Sequence, residues 1–201
     1  MKRKGQLFVV SAPSGAGKTT LCNMLLKEFS NLSYSISYTT RAPRSKEVHG
    51  RDYFFIDALE FESMILKGGF MEYAKVHGYL YGTSKNAVLK SLELGRDILL
   101  DIDVQGAMKI KQETSLGVYI FINPPSMEVL HRRLYDRNDT PEDNIELRLK
   151  NAEIELAQFV NYDYVVENDI LEAAYKQISS IYIAETCRCA LLDVKDGRLQ
   201  F

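Results

Sequence analysis

The chain has 201 residues, 46% apolar and 26% charged, enough to bury a full core as one domain carrying at most small inserted lobes. Its net charge of −2 argues against non-specific affinity for nucleic acid or anionic membranes, so any strongly basic patch must be local and serve a local purpose. Three cysteines without C-x-x-C spacing (Cys22, Cys187, Cys189) give neither a disulfide frame nor a zinc site, and the scattered His49, His77 and His131 read as surface or packing residues.

The N-terminal stretch MKRKGQLFVV is basic and then apolar, but its apolar run is too short for a signal peptide and passes straight into SAPSGAGKTT, so a cytoplasmic protein is expected. Residues 7–10 read as a buried strand. The small residues after it, followed by Lys18-Thr19 opening a helix with an apolar face (Leu21, Cys22, Met24, Leu25), read as a phosphate loop. Backbone N–H groups, a helix N-terminus and a lysine together cradle oxyanions. The candidate loop comprises Ala12, Pro13, Ser14, Gly15, Ala16, Gly17, Lys18, Thr19 and Thr20. Ala12 stands where G-x-x-x-x-G-K-[ST] has its first glycine, which leaves Gly15 and Gly17 for positive φ or close backbone approach.

Residues 34–83, rich in Tyr, Thr and Gly with short β-like pieces at 52–56 and 70–76, break the strand–helix alternation and predict an inserted lobe. Within it, Arg41 and Arg44 flank a proline, and Tyr53 and Tyr81-Gly-Thr83 follow. Forked guanidiniums and phenol hydroxyls suit a phosphate monoester, with a basic surface turn as the alternative. Glu72, between Met71 and Tyr73, reads by itself as an exposed alternating residue.

Helical periodicity returns at Val88, Leu89 and Leu92, then an apolar strand runs over 97–102. At its end Asp101 and Asp103 are expected to point to one face of the sheet's C-terminal edge, toward the phosphate loop, where a nucleotide–Mg²⁺ complex wants a carboxylate. A strand at 118–122 and a helix marked by Val129, Leu130 and Leu134 follow. Residues 132–150 predict two charged helices, broken before Thr140-Pro141 as N-cap and first helical position, forming a hairpin that stands off the core. Arg133 and Arg137 share a face at i,i+4; whether they and Arg132 and Arg148 meet a ligand or pair with the surrounding acids, the sequence leaves open. With a last strand at 164–166, alternating strands and helices predict an α/β fold with a parallel sheet covered on both faces.

Taken together, SAPSGAGKTT, SYTTRAPRSKEVHGRDYFF, FMEYAKVHGYLYGTS, DILLDIDVQGA and RRLYDRNDTPEDNIELRL resemble the guanylate kinase family in order and approximate spacing, from about residue 6 to 168. The resemblance implies a P-loop core with a parallel sheet flanked by helices (1–36, 87–127, and 153–201 with the C-terminal helices and tail), a GMP-binding lobe (37–86) and a helical lid (128–152). It implies transfer of the γ-phosphoryl of ATP to GMP, and to dGMP as well, giving ADP and GDP in purine nucleotide metabolism, with Mg²⁺ entering with ATP. The partners are then small molecules, with neither nucleic acid nor membrane, in a monomer or homodimer.

Carried over residue by residue, the resemblance implies that Arg41, Arg44, Tyr53 and Tyr81 hold the GMP phosphate and that Ser37, Glu72, Thr83 and Asp103 read guanine. The chemistry agrees: guanine sets N1–H and N2–H₂ donors beside an O6 acceptor, so carboxylates take the donors and hydroxyls serve O6. Lys18 and Thr19 would hold ATP phosphates and Mg²⁺, with Asp101 near the metal through water. Arg133, Arg137 and Arg148 would close over the transferring group, and Asn168 would contact adenine. Ala12, Ser45-Lys46 and Tyr79-Leu80 depart from the family's common pattern without removing a functional side chain. Two alternatives stand beside this reading. One is a kinase of another nucleoside monophosphate, disfavoured by two carboxylates facing the base. The other is a non-catalytic guanylate-kinase-like protein-binding module, which typically loses phosphate-loop residues.

Overall fold

A computed structural model describes residues 3–76, 78–136, 143–192, 194–195 and 198–199. In chain order the elements are β1 (Leu7–Ser11), α1 (Lys18–Glu28), β2 (Leu32–Tyr34), β3 (Tyr38–Thr39), β4 (Phe54–Phe55), α2 (Ala58–Leu66), β5 (Phe70–Val76), β6 (Tyr79–Ser84), α3 (Lys85–Glu93) and β7 (Asp97–Asp101). They continue as α4 (Val104–Glu113), β8 (Val118–Asn123), α5 (Met127–Asp136), α6 (Asp143–Leu156), β9 (Tyr164–Glu167), α7 (Leu171–Thr186), β10 (Val194–Lys195) and β11 (Arg198–Leu199).

Five strands form a parallel sheet in the order β2-β7-β1-β8-β9, with β1 paired to both β7 and β8. Every residue of β1 is buried because the sheet is covered on both sides, so the strand reads as an unbroken apolar run. Its side chains divide by alternation. Phe8 and Val10 pack with Leu21, Cys22 and Leu25 of α1 and Ala174, Ile178 and Tyr182 of α7. Leu7 and Val9 pack with Val88 and Leu92 of α3 and Val104, Ala107 and Ile110 of α4. The expected doubly covered α/β sheet is therefore present, and its C-terminal edge carries the phosphate loop and the end of β7.

The inserted lobe is a second sheet of four strands, in the order β4-β3-β6-β5, with α2 packed on it through Phe61 and Phe70, whose rings stack 4.4 Å apart. Helix starts follow local chemistry: Asp57, Ser84 and Asp103 each accept a hydrogen bond from the N–H three residues on, capping α2, α3 and α4. This corrects the expected geometry at the end of β7. The strand stops at Asp101, and Asp103 is the α4 N-cap, its Oδ1 taking the Gly106 N–H at 2.7 Å.

The charged hairpin also differs from expectation at its first helix. Leu130 and Leu134 of α5 bury with Ala152 of α6, and a Cβ placed on Gly15 would lie 3.1–3.2 Å from the two leucine side chains. Helix α5 therefore rests on the phosphate loop instead of standing clear of it. Thr140 and Pro141, expected to start the following helix, lie outside the described residues.

Candidate active site

The phosphate loop joins β1 to α1 in two left-handed steps, Gly15 at φ 91° and Gly17 at φ 93°, where a side chain would be strained. Between them the Ala16 N–H closes a tight turn on the Pro13 carbonyl at 3.1 Å. Gly17 is the N-cap of α1 and has no side chain to cap it, and no acidic residue sits in the first turn. The N-terminal amides and the positive end of the helix dipole are thus left for an exogenous anion. Ala12, where a glycine was expected, is 8% exposed and packs in the apolar cluster under the loop while also bordering the cleft above it, so the extra methyl is accommodated largely by the core.

A cleft of about 610 Å³ opens above this loop, walled by the loop itself, Lys18, Thr19, Thr20, Asp101, Asp103, Arg133 and Glu155. Lys18 Nζ is drawn to the end of β7, 2.6 Å from Asp101 Oδ1 and donating to the Ile102 carbonyl at 2.8 Å. Arg133 reaches in from α5. One of its terminal nitrogens donates to the Asn168 carbonyl at 2.9 Å, while Nη1 is buried without a partner among the described residues. An unsatisfied buried guanidinium N–H is costly and is relieved by an anion. Glu155, in the last turn of α6, is partly buried, and that burial, with Asp103 nearby, pushes its carboxyl up. Thr19 and Asp101 lie on this one cleft. No group of three His, Cys, Asp or Glu side chains among the described residues could hold a metal alone. That donor set fits a cation that arrives with a triphosphate and keeps phosphate and water ligands.

Asp101 also lines a second cleft, about 310 Å³, with Ser37, Tyr53 and Thr83 on the lobe side. Beyond them Arg41 is held at several points: Nε donates to the Tyr81 hydroxyl at 3.2 Å, and Nη1 and Nη2 form a bidentate pair with Glu47 at 2.9 and 2.8 Å. Its guanidinium carbon lies 5.6 Å from the Tyr53 ring centre. Glu47 also accepts the Arg44 N–H at 2.7 Å, while Arg44 itself is exposed. The end-on face of the Arg41 fork is thereby taken, and its side-on face stays beside Tyr81.

Glu72 is 7% exposed, not the exposed alternating residue its neighbours suggest. It accepts the Thr83 hydroxyl at 2.7 Å, and burial pushes its carboxyl up; the Thr83 bond pulls it down and Asp103 pushes it further up. Glu72 Oε2 and Asp103 Oδ1 approach each other over Gly106, where a Cβ would lie 3.3 and 3.4 Å from them. The lobe and the core thus bring two carboxylates to one spot.

Of the expected residues, then, the loop, Lys18, Thr19, Asp101, Asp103 and Arg133 share one cleft, while Ser37, Tyr53 and Thr83 share the adjoining one with Asp101. Arg148 lies on α6 two turns before Glu155 and does not line either cleft. Arg137 lies outside the described residues. Asn168 is 5% exposed and donates from Nδ2 to the Ala16 carbonyl at 2.7 Å, beneath the loop. Sequence reading passed over Glu47 and Glu155. An acid set six residues after Arg41 in a basic turn was a signal for the first; for the second, only its place one turn beyond the buried Ala152 was available.

A phosphate loop on a doubly covered parallel sheet, facing a second cleft built by an inserted lobe, defines a nucleotide-binding α/β protein of the phosphate-loop class. The guanylate kinase family model matches residues 4–185, and the chain belongs to that family. Similar proteins include the guanylate kinase of Geobacter metallireducens, 49% identical over 94% of this chain and 93% of its own length. The guanylate kinase of Syntrophomonas wolfei is 47% identical over 97% of this chain and 100% of its own. Among solved structures, guanylate kinase from Anaplasma phagocytophilum superposes with a TM-score of 0.74 at 36% identity, covering 95% of this chain and 91% of that one.

Proposed function

We propose that the chain transfers the γ-phosphoryl group of ATP to GMP, giving ADP and GDP, and accepts dGMP as well. The observation that carries the reading is the pair of clefts sharing Asp101, one under phosphate-loop amides and the other lined by Ser37, Tyr53 and Thr83 of the lobe. In this reading the first cleft takes the ATP phosphates, and Lys18 exchanges Asp101 for a phosphate oxygen. Thr19 and, through water, Asp101 would hold the Mg²⁺ brought in with ATP, and that ion would neutralise charge on the phosphates. The second cleft takes the acceptor. Glu72 and Asp103 accept from guanine N1–H and N2–H₂, Ser37 and Thr83 complete the base site, and Arg41, Arg44, Tyr53 and Tyr81 hold the monophosphate.

The acceptor oxygen is already ionised at neutral pH, so no general base is required, and catalysis consists of positioning and charge neutralisation. Among the described residues Arg133 carries a buried N–H without a partner, which suits a group that waits for phosphoryl oxygens. Arg137 and Arg148 are assigned to lid closure on the family pattern. A cation placed on the transferring group is worth roughly 10³–10⁵ in rate. Such chemistry suits the cytoplasm, and among the described residues no helix is long and apolar enough to cross a membrane. The test is ADP release from Mg²⁺–ATP with GMP, dGMP, AMP, UMP or no acceptor. Release that depends on GMP and dGMP is expected, and equal rates with and without GMP would refute the assignment.

A further inference from the structure

Asn168 follows β9 directly, and its N–H extends the pairing with β8 by donating to the Asn123 carbonyl at 2.8 Å. Its side chain turns under the phosphate loop, where Nδ2 donates to the Ala16 carbonyl at 2.7 Å in a buried bond. Facing a carbonyl, only the NH₂ end of the amide satisfies both partners, so the orientation of the amide is forced. In a trans peptide the carbonyl and the next N–H point in opposite directions. Holding the Ala16 carbonyl toward Asn168 therefore aims the Gly17 N–H the other way, into the cleft that Gly17 lines and Asn168 does not. Contact at this point is close: a Cβ on Gly17 would lie 2.2 Å from Nδ2. The Asn168 carbonyl meanwhile receives the Arg133 guanidinium, so one residue ties the loop's last peptide and that arginine to the edge of the sheet.

We propose that the Asn168 side chain is a positioning residue for nucleotide phosphates: it locks the Ala16–Gly17 peptide with its N–H facing the ligand, and it does so whatever base the nucleotide carries. The inference deepens the reading above, since it rests on the loop holding the donor's phosphates, and it differs from the adenine contact that the family resemblance implies for this position. Removing the side chain frees the peptide to turn. An aspartate of the same shape sets acceptor against acceptor and brings negative charge to an anion site.

Binding of inorganic tripolyphosphate, ADP and GMP, each measured by calorimetry on wild type, Asn168→Ala and Asn168→Asp, decides the matter. For Asn168→Ala, tripolyphosphate and ADP should weaken by the same factor, about tenfold for a lost buried hydrogen bond. Asn168→Asp should weaken both further, and GMP should bind all three proteins alike, which also shows that the variants are folded. Three results overturn the proposal: ADP weakened with tripolyphosphate unchanged, which assigns the contact to the base; no change in either; or GMP binding lost in both variants, which makes Asn168 a support of the whole fold. Failure of wild type to bind GMP would instead sink the acceptor assignment and leave the tripolyphosphate comparison standing.

Discussion

Glu72 is a carboxylate that the fold alone would do better without. Burial pushes its pKa up, and the one hydroxyl it accepts from, Thr83, does not restore it. A group that binds its proton more tightly folded than unfolded lends stability only at low pH, and that contribution is lost as pH rises through its raised folded-state pKa. A buried carboxylate whose raised pKa lets the fold lose stability as pH rises is costly to keep, as befits a residue kept for a ligand. Glu72→Gln keeps the shape and the acceptor for Thr83, but turns an amide donor toward guanine's donors. With charge-assisted hydrogen bonds worth roughly 1.5–3 kcal/mol each, kcat/KM for GMP should fall ~10- to 10³-fold while ATP affinity holds. The melting temperature at pH 7 should stay level or rise. A kcat/KM within about threefold of wild type, under ~0.7 kcal/mol, would remove Glu72 from the base site.

At the scale of the element, the phosphate loop is a short segment whose conformation two glycines permit and whose neighbours then hold. Both occupy left-handed φ, yet a methyl would meet different things at each: buried leucine side chains of α5 at 3.1–3.2 Å at Gly15, the bonded amide of Asn168 at 2.2 Å at Gly17. Gly15→Ala should cost about the 1–3 kcal/mol of backbone strain plus a shift of a few tenths of an ångström in the leucines. Gly17→Ala adds the displacement of Asn168, so it should melt lower and bind ADP more weakly than Gly15→Ala. The reverse ranking in paired melts and ADP titrations would show that contacts around the loop do not govern it. This loop also marks what was legible in the sequence. Its spacing, the apolar β1 before it and the periodic α1 after it are local signals, and local signals predicted the parallel sheet, the lobe and the loop itself. Unreadable were the partnerships made by the fold: Asn168 under Ala16, 152 positions away, the leucines of α5 against Gly15, and Glu72 turned inward against Asp103. Asp103 reached the expected cleft by a different route: strand alternation predicts one face for Asp101 and Asp103 only while the strand continues, and here the strand ends at Asp101 and the α4 cap brings Asp103 to the same cleft.

Over the whole molecule, β7 carries a carboxylate at each end, and the two do opposite work. Asp101, at the C-terminal edge, faces Lys18 across the ligand cleft. Asp97, at the other end, has no exposure and is fully engaged: Arg3 at 2.8 and 2.6 Å, the Gln6 N–H at 2.8 Å, Asn31 at 3.0 Å and the Tyr182 hydroxyl at 2.7 Å. These bonds gather the N-terminal segment, the turn before β2, the central sheet and α7 at the edge away from the site. Burial pushes the Asp97 pKa up, but Arg3, Gln6 and Tyr182 outweigh it and hold the carboxyl below the usual range. A lowered folded-state pKa gives stability that is present above the unfolded value of about 3.9 and lost as pH falls through the folded one. Asp97→Asn removes the charge that satisfies Arg3, and should cost about 3 kcal/mol, the lower end for breaking a buried pair because Arg3 keeps some access to water. For a chain of this size that is roughly 6–12 °C in Tm at pH 7. The gap between wild type and variant should narrow as the pH of the melt is lowered from 7 through 5 to 3, because wild type then gives up the same charge. Turnover measured well below both melting temperatures should be little changed, since no bond of Asp97 reaches either cleft. A gap as wide at pH 3 as at pH 7 would show that shape and hydrogen bonding, not the ionised carboxylate, hold this end of the sheet together.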